Sequence, residues 1–497
     1  MIEKLKETFS HAFIFGLGGV LTKLIGFILI PLYTREISVA EYGILGLLEF
    51  FGQLLIILFS FGQIPALFRW FNLLESEKEK NKIFFTVIIS LSGIFFLAST
   101  FGILFKNSIS QFITGEKTNS YLIAYIFISY STDALKNILL TIYRINKKPL
   151  RYIIILSLSL IINLLLNIYF VAFRKLSIEG VLIGNTISSI LTLIALIFDN
   201  FKNLSPQLEL REFYKMLRFG FPMVLSGFSG VLLMMSDRYL LRTYATLDDV
   251  GIYTLGYKIA GIINLVLIQS FSLAWPAVAW DAFKKPNVQR FISKVLTYFV
   301  FITLWIILAF SIFSKEIIHV LIKNNLYWES IKIVPIIALS YSFYGMYYLT
   351  GIVFHFKNKT KYLPIILGFC AGFNIILNII LIPRFTIYGA AYSTLASYII
   401  MFLLTYYLGQ KTMPIPYESR KLWLIFICIG ILFYLISIIP STNLILRIGI
   451  KCIIILLFPL ILYIFNFYER IELQRIREIV NKYFFRKKSD FLKKTNG

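Results

Sequence analysis

Several ionisable residues of this sequence lie within long apolar stretches, where a charge is costly. The cations are Lys23, Lys136, Arg238 and Lys258, and the acids are Glu49, Asp133 and Asp237. Charged side chains inside a membrane usually face a polar interior or pair with one another. A lysine holds an anion as a point charge, and an arginine holds it with two parallel hydrogen bonds. We therefore expect the four cations to line a water-filled cleft that binds a phosphate or another anionic group.

The same residues also allow a purely structural interpretation, in which they pair with one another and hold helices together. Asp133 and Lys136 are three positions apart and so share one helix face. Arg238 follows an acid directly, and it also lies near enough to a helix end to reach the membrane surface. Lys23 and Lys258 have no acid within one turn of their own helix, which favours the cleft. The three acids then either balance the cations or bind a coupling proton or cation.

The sequence offers no metal or cofactor site. Its three cysteines, Cys370, Cys428 and Cys452, lie in apolar runs without ligand spacing, and the three histidines are scattered. We expect no bound metal and no cofactor other than a coupling ion, H⁺ or Na⁺.

The composition is that of a chain dissolved in lipid. Hydrophobic residues make up 58% and charged residues 15% of the sequence, with a mean hydropathy of +0.79. A soluble domain carries about 25% charged residues. No long polar segment interrupts the chain, so a separate soluble enzymatic domain is excluded. The net charge of +24 lies in short loops rather than in one patch, which argues against a nucleic-acid partner.

The apolar runs predict an all-α membrane protein with about fourteen spans, since a helix needs about 20 apolar residues to cross the bilayer. Their centres lie near Val20, Leu54, Phe95, Thr132, Ile162, Ser189, Gly227, Leu265, Phe301, Phe343, Gly372, Ala396, Gly430 and Leu456. We divide the chain into a six-helix bundle (1–205), a second six-helix bundle (206–410), two further helices (411–467) and a basic cytoplasmic tail (468–497).

An internal repeat relates the two bundles. Asn163 and Asn167 recur as Asn374 and Asn378, 211 positions later, and Pro65 recurs as Pro276. We expect the asparagines to form interhelical hydrogen bonds and the prolines to bend their helices. The ionisable residues do not follow the repeat, because Glu49 aligns with Tyr257 and Asp133 with an apolar position near Phe343.

Loop charges predict the orientation. One set of alternate loops carries roughly three times the lysine and arginine of the other, and positive loops stay in the cytoplasm. Both termini are then cytoplasmic, and the six-helix repeats are parallel, related by a pseudo-two-fold axis along the membrane normal. Repeated membrane bundles that flank a central site are typical of secondary transporters. The basic tail places Ile471, Ile476 and Ile479 at helical spacing, as in helices that lie on an anionic membrane surface.

Four short motifs carry a family resemblance. Arg35-Glu36 and Tyr42-Gly43 follow the first span, and Asp237-Arg238 and Gly251-Ile252-Tyr253 belong to spans 7 and 8. With these motifs the sequence resembles the polysaccharide-type members of the multidrug/oligosaccharidyl-lipid/polysaccharide (MOP) exporter superfamily. The resemblance implies a flippase that moves undecaprenyl-diphosphate-linked oligosaccharide from the inner to the outer leaflet of the bacterial plasma membrane. It also implies proton or sodium antiport, and contact with membrane lipids and other polysaccharide assembly proteins.

Three alternatives remain at this point. A flippase for a peptidoglycan lipid precursor and a drug exporter share the expected fold, although an exporter of cationic drugs should have an acid-dominated cavity. A membrane glycosyltransferase or polymerase would also cross the membrane many times. Such an enzyme usually has a large outer loop with catalytic acids, which this sequence lacks. We therefore expect a transporter and not an enzyme.

Overall fold

The structure is a computed structural model of the 497-residue chain, and it describes residues 21, 25–201, 205–438, 444–470 and 473–474. All regular secondary structure in these ranges is helical. The first half of the repeat forms α1 (Ile30–Glu36), α2 (Val39–Ser60), α3 (Gln63–Leu73), α4 (Glu77–Leu104), α5 (Lys106–Thr114), α6 (Ser120–Ile145), α7 (Pro149–Asn167) and α8 (Ser177–Asn200). The helices that follow are α9 (Leu210–Tyr244), α10 (Leu247–Ile263), α11 (Ser270–Phe283), α12 (Val288–Leu321), α13 (Val334–Phe356), α14 (Tyr362–Thr412), α15 (Ser419–Ile438) and α16 (Leu444–Ile464).

Eleven helices among the described residues are long and apolar enough to cross a membrane. The 51-residue α14 bends at Thr386 (φ 47°, ψ −123°) into two pieces, and each piece is long enough for one crossing. The 26-residue α6 is also long enough, but Asp133 and Lys136 lower its apolar character. Thirteen of the fourteen predicted spans thus correspond to a helix, and the first lies largely outside the described residues. The prediction of an all-α, multi-pass membrane protein is confirmed.

The contacts divide the chain into two compact units. Unit 1 comprises Met1–Val288 and Ser314–Pro414, and unit 2 comprises Gln289–Phe313 and Ile415–Gly497. Unit 1 holds both halves of the repeat. We call its described residues 25–201 the first half, and residues 205–288 together with 314–414 the second half. The domain boundaries proposed from the sequence stay a prediction.

Unit 2 contains a cluster of ion pairs at one end. The Lys294 ammonium contacts Glu469 and lies 2.9 Å from the Glu418 carboxylate, and Lys421 lies 3.1 Å from the same carboxylate. The hydrogen bond from Lys294 lowers the pKa of the Glu469 carboxyl below its ordinary value. In the same unit the Trp305 indole donates to the Ile455 carbonyl at 2.9 Å. These bonds connect α12 with the segments that begin α15 and follow α16.

The backbone of unit 1 repeats at the turns. Helix α2 begins with a capping box, in which Ser38 and Glu41 satisfy each other's backbone amides, and α10 begins with the same box from Thr246 and Asp249. Lys147 after α6 and Asn358 after α13 share a left-handed φ of 53°, 211 positions apart. These matched terminations are the structural counterpart of the sequence repeat.

The helix irregularities near the repeated prolines lie before the prolines themselves. In the first half the chain breaks between α2 and α3 at Phe61 (φ 47°) and Gly62 (φ 64°), just ahead of Pro65. In the second half a π-helical segment, Asn264–Gln269, joins α10 to α11, which contains Pro276. π-Helical turns often occur at functional sites, and this one borders the cavity of unit 1.

Candidate membrane-embedded polar cavity

Unit 1 contains a cavity of about 620 Å³ between its helices. Its walls come from residues 25–33 and from α2, α6, α7 and α8 of the first half, with α10, the π-helical segment and α13 from the second half. The polar and charged lining residues are Tyr33, Glu49, Gln53, Ser129, Tyr130, Asp133, Lys136, Ser159, Asn163, Asn185, Ser188, Ser189, Tyr257, Lys258, Asn264 and Tyr341. So many hydroxyl, amide and charged groups in a membrane-embedded space favour a hydrophilic ligand.

An ion pair joins the two halves across this cavity. The Lys258 ammonium on α10 lies 2.8 Å from the Glu49 carboxylate on α2. The ammonium also lies 5.2 Å from the centre of the Tyr42 ring, a cation–π distance. Both side chains keep about 30% exposure, so each can reach the cavity. Because the partners belong to different halves, the pair must break if these helices separate.

A second ion pair lies within one helix. Lys136 contacts Asp133 one turn earlier on α6. The Asp133 carboxylate also accepts from the Asn137 amide at 3.3 Å and from the Ser189 hydroxyl at 3.4 Å. Among the described lining residues the two lysines therefore balance the two acids, and each cation already has a carboxylate partner. A ligand anion must displace that partner or share the lysine with it.

The repeated asparagines form interhelical hydrogen bonds in both halves, as predicted. Asn163 donates to Asn185 at 2.8 Å in the first half, and Asn374 donates to Ser397 at 3.2 Å in the second. Asn163 and Asn185 line the cavity, whereas Asn374 is fully buried and outside the cavity wall. The same sequence motif thus faces a cavity in one half and protein in the other.

Asp237 and Arg238 lie away from the cavity wall. Their side chains are 1% and 3% exposed and pair with each other at 2.9 Å. The Tyr253 hydroxyl donates to the other Asp237 oxygen, and the Arg238 guanidinium lies 4.5 Å from the centre of the Tyr257 ring. Tyr257 lines the cavity, so this buried pair supports the wall from behind. The assignment of Arg238 to the anionic group and of Asp237 to coupling stays a prediction.

The structure therefore brings Glu49, Asp133, Lys136 and Lys258 together, while Lys23 lies outside the described residues. Sequence reasoning did not single out Gln53 or Asn185. Asn185, Ser188 and Ser189 are spaced three and four positions apart, which places them on one helix face. That polar stripe in an apolar span was the available signal.

Two close approaches connect the halves at the end that the loop charges predict to be outside. A Cβ atom on Gly43 would lie 2.2 Å from the Leu247 carbonyl oxygen, and one on Gly251 would lie 2.1 Å from that of Val39. Only glycine permits this contact between α2 and α10. The contact is reciprocal, as expected near a two-fold axis. Gly43 faces Leu247, four positions before Gly251, and Gly251 faces Val39, four positions before Gly43.

Polar bonds join the halves at the same end. The Tyr327 hydroxyl donates to the carbonyl oxygens of Ile37 and Ser38, at 3.1 Å each. The Arg242 guanidinium donates to two carbonyls of α5, those of Gln111 and Phe112, at 2.9 and 3.0 Å. In this structure the predicted outer end is held closed by backbone contacts as well as by side chains.

The halves also meet at the predicted cytoplasmic end. A Cβ atom on Gly220 would lie 2.2 Å from the Phe61 carbonyl oxygen. The Trp70 indole donates to Glu212 at 3.1 Å, and the Arg69 guanidinium lies 4.6 Å from the centre of the Phe219 ring. Since α2 spans about 33 Å between the two sets of contacts, the halves touch near both membrane faces. The polar cavity lies between these two junctions.

Comparison with known proteins identifies the family. Residues 9–279 match the family model described as polysaccharide biosynthesis protein. An uncharacterized membrane protein of Methanocaldococcus jannaschii is 23% identical over 443 residues, which cover 82% of this chain and 84% of that protein.

Solved structures share the fold at low sequence identity. The inward closed conformation of the lipid II flippase MurJ covers 92% of this chain and 100% of its own, with a TM-score of 0.76 and 18% identity. An inward-facing multidrug resistance transporter of the MATE family, described as a member of the MOP superfamily, covers 78% of this chain and 94% of its own, with a TM-score of 0.65 and 14% identity. A MATE transporter of Vibrio cholerae has a TM-score of 0.56 and 16% identity, and covers 84% of this chain and 98% of its own.

The family model covers more than half of the chain, and the fold is shared with a structure described as a member of the MOP superfamily, the superfamily that the sequence motifs resemble. The chain therefore belongs to the polysaccharide biosynthesis protein family.

Proposed function

We propose that this protein is a flippase for oligosaccharides linked to undecaprenyl diphosphate, the repeat units of O-antigen, capsule or another surface polysaccharide. The observation that carries the proposal is the membrane-embedded cavity, with two ion pairs and a wall of hydroxyl and amide groups. Sugars and diphosphates do not cross hydrocarbon unaided, because each buried polar group without a partner costs several kcal/mol. The cavity wall supplies such partners.

The lysines are the proposed contacts of the diphosphate. Lys136 and Lys258 each face one carboxylate now, and a diphosphate would compete with Asp133 and Glu49 for them. The released carboxylate then either takes up the coupling ion, H⁺ or Na⁺, which offsets the added negative charge of the diphosphate, or serves only to balance its lysine while the site is empty. Lys23 and Arg238 complete the predicted cation set.

Alternating access follows from the two junctions between the halves. Opening the cytoplasmic junction, at Gly220 and Trp70, admits the head group from the inner leaflet. Opening the outer junction, at Gly43 and Gly251, releases it to the outer leaflet. The protein acts on the position of its substrate and not on its bonds, so we propose that it is not an enzyme.

Reconstitution in liposomes tests this proposal. Vesicles that carry a fluorescent lipid-diphosphate oligosaccharide are treated with a membrane-impermeant quencher, with and without a proton or sodium gradient. We expect protein-dependent exchange between leaflets. Exchange no faster than in protein-free vesicles, under every gradient, would reject the flippase assignment.

A second candidate substrate is a peptidoglycan lipid precursor. It is favoured by the likeness to a structure named as a lipid II flippase, which covers 92% of this chain. The same liposome assay with lipid II as the fluorescent substrate separates the two candidates by their relative rates. A drug exporter is disfavoured because both cavity acids already hold lysines.

We propose the bacterial plasma membrane as the location, with both termini in the cytoplasm. The partners would be the lipid-linked substrate, the surrounding lipids and other polysaccharide assembly proteins. The orientation is tested with Lys117→Cys and Lys357→Cys, each made in a variant without Cys370, Cys428 and Cys452, and treated with an impermeant thiol reagent on intact cells. Only the cysteine at position 117 should react.

A further inference from the structure

Six tyrosines form a continuous row in the second half, from the cavity wall along α13. We call Tyr257, Tyr341, Tyr344, Tyr347, Tyr348 and Tyr398 the tyrosine ladder. Tyr257 and Tyr341, which line the cavity, lie 6.0 Å apart between ring centres. The row continues through Tyr398, 6.4 Å from Tyr341, to Tyr344 at 5.2 Å and Tyr348 at 5.1 Å.

Tyr344 and Tyr348, which continue the ladder beyond the cavity wall, lie at the middle of a membrane-spanning helix. Tyr344 is next to the midpoint of α13, and Tyr348, one turn further, is 44% exposed. Tyrosines of membrane proteins concentrate at the two interfaces, where their hydroxyls reach water. The Tyr344 hydroxyl donates to the Tyr348 hydroxyl at 3.4 Å, and a Tyr348 proton exposed to hydrocarbon at mid-membrane would be costly. A polar ligand or water that reaches these side chains from the cavity would supply the partner that hydrocarbon does not.

The internal repeat also relates the tyrosines of α13 to the polar cavity-lining residues of α6. The matched left-handed residues Lys147 and Asn358 fix an offset of 211 between α6 and α13. With that offset the counterparts of Asp133, Lys136 and Asn137 are Tyr344, Tyr347 and Tyr348. The aligned position for Asp133 is therefore Tyr344 and not the apolar neighbourhood of Phe343. The second half places tyrosines where the first half places the charged wall of the cavity.

Tyrosine rings suit a carbohydrate for two reasons. The flat ring covers the apolar C–H face of a pyranose, and the phenol hydroxyl exchanges hydrogen bonds with the sugar hydroxyls. The ladder begins at Tyr257, which precedes the lysine proposed to hold the diphosphate. From Tyr341 to Tyr348 it extends about 10 Å along the helix, so it has room for more than the first sugar.

We propose that Tyr257, Tyr341, Tyr344 and Tyr348 of the tyrosine ladder bind the pyranose rings of the glycan, and that the buried Tyr347 and Tyr398 support them. Lys258 and the charged residues of the first half would hold the diphosphate. This inference rests on the proposed function, since it names the part of the site that would recognise the sugar moiety. Specificity for glycan length and ring substitution would then reside in the second half.

Binding in detergent tests the ladder without requiring transport. The probes are a polyprenyl diphosphate, the same lipid with one sugar, and the same lipid with four sugars. We expect the Tyr344→Leu/Tyr348→Leu variant to bind the four-sugar lipid about ten-fold more weakly, and the bare diphosphate within about two-fold of the unsubstituted protein. Tyr344→Phe/Tyr348→Phe, which keeps the rings, should recover most of the affinity.

A matched control is Tyr392→Leu, an exposed tyrosine of the second half outside the ladder, which should change none of the affinities. Equal weakening for all three probes would show a structural role only and would overturn the proposal, as would no weakening for the four-sugar lipid. It would also be overturned if the unsubstituted protein bound the four-sugar lipid no better than the bare diphosphate. Length-dependent binding without leaflet exchange would reject the flippase instead and leave the ladder in place.

Discussion

Helices α6 and α13 occupy matching places in the two halves, and both end in a turn with a left-handed residue at φ 53°. At equivalent positions α6 carries Asp133 and Lys136, whereas α13 carries Tyr344 and Tyr347. The backbone of the repeat is thus retained while its inward-facing chemistry differs. At these positions one half offers charge, and the other offers aromatic rings.

The difference shows which features a duplicated bundle must keep. Capping boxes and the reciprocal glycines Gly43 and Gly251 set helix starts and helix separation, so they recur in both halves. Side chains that line the cavity do not set the close backbone packing between the halves, so they are freer to diverge. A substrate with a charged end and a sugar end makes use of such a divided site.

The largest expected effect comes from breaking the ion pair that joins the halves. Lys258→Ala removes a proposed diphosphate contact and leaves Glu49 to repel the substrate. Two like charges about 4 Å apart repel by about 4 kcal/mol at an effective dielectric constant of 20. We therefore expect leaflet exchange in liposomes to fall by about 100-fold or more.

The double variant Glu49→Gln/Lys258→Gln removes the repulsion together with the contact, so it should exchange faster than Lys258→Ala alone. Lys117→Ala, a change at an exposed loop lysine, serves as the control and should have no effect. Equal rates for Lys258→Ala and this control would contradict the role of the pair.

A smaller effect is expected from the glycines that bring the halves together. Gly251→Ala places a Cβ atom 2.1 Å from the Val39 carbonyl oxygen, so α2 and α10 must move apart. Overpacking of this kind costs about 1–3 kcal/mol. We expect a lower midpoint of thermal unfolding in detergent, and a similar loss for Gly43→Ala because the contact is reciprocal.

Gly93→Ala is the matched control for this pair, because no heavy atom lies within 4 Å of the added Cβ in α4. It should be neutral or slightly stabilising, since alanine favours a helix over glycine. A large loss for Gly43→Ala without one for Gly251→Ala would argue against a symmetric junction.

Much of this fold follows from the sequence for simple physical reasons. Apolar runs of about 20 residues have no stable place but a membrane, so thirteen of the predicted spans correspond to helices. Ionisable residues inside such runs must face polar surroundings, which is why Glu49, Asp133, Lys136 and Lys258 meet in one cavity.

The pairing inside the site does not follow from the sequence. Glu49 and Lys258 are 209 positions apart, and their contact depends on how α2 packs on α10. Arg238 was expected in the cleft but lies buried behind its wall. A helix that is apolar on all sides gives no amphipathic stripe from which to read which residues face the centre.

The asparagine motif tests whether the same residues serve different roles in the two halves. Asn374→Ala removes a fully buried hydrogen bond to Ser397, so it should lower stability by about 1–2 kcal/mol and change substrate affinity little. Asn163→Ala, at a cavity-lining position, should lower affinity for the lipid-linked glycan more than it lowers stability. Thermal unfolding and binding in detergent, measured on both variants, decide the matter. If both variants lose stability and substrate affinity to the same extent, the asparagines of the two halves do not serve different roles.

The smallest effects concern features that the halves share. In α2 the Ser38 hydroxyl lies 2.7 Å from Glu41 and accepts from its amide at 3.3 Å, and in α10 Thr246 bonds Asp249 at 2.7 and 3.1 Å. Removal of such a cap costs about 1 kcal/mol. Ser38→Ala and Thr246→Ala should therefore lower the unfolding midpoint by similar amounts and leave glycan binding unchanged. The hydroxyls of both exposed cap residues bond within their own helix starts. Clearly unequal losses would therefore show that the two halves differ even at these caps, and that the asymmetry extends beyond the cavity.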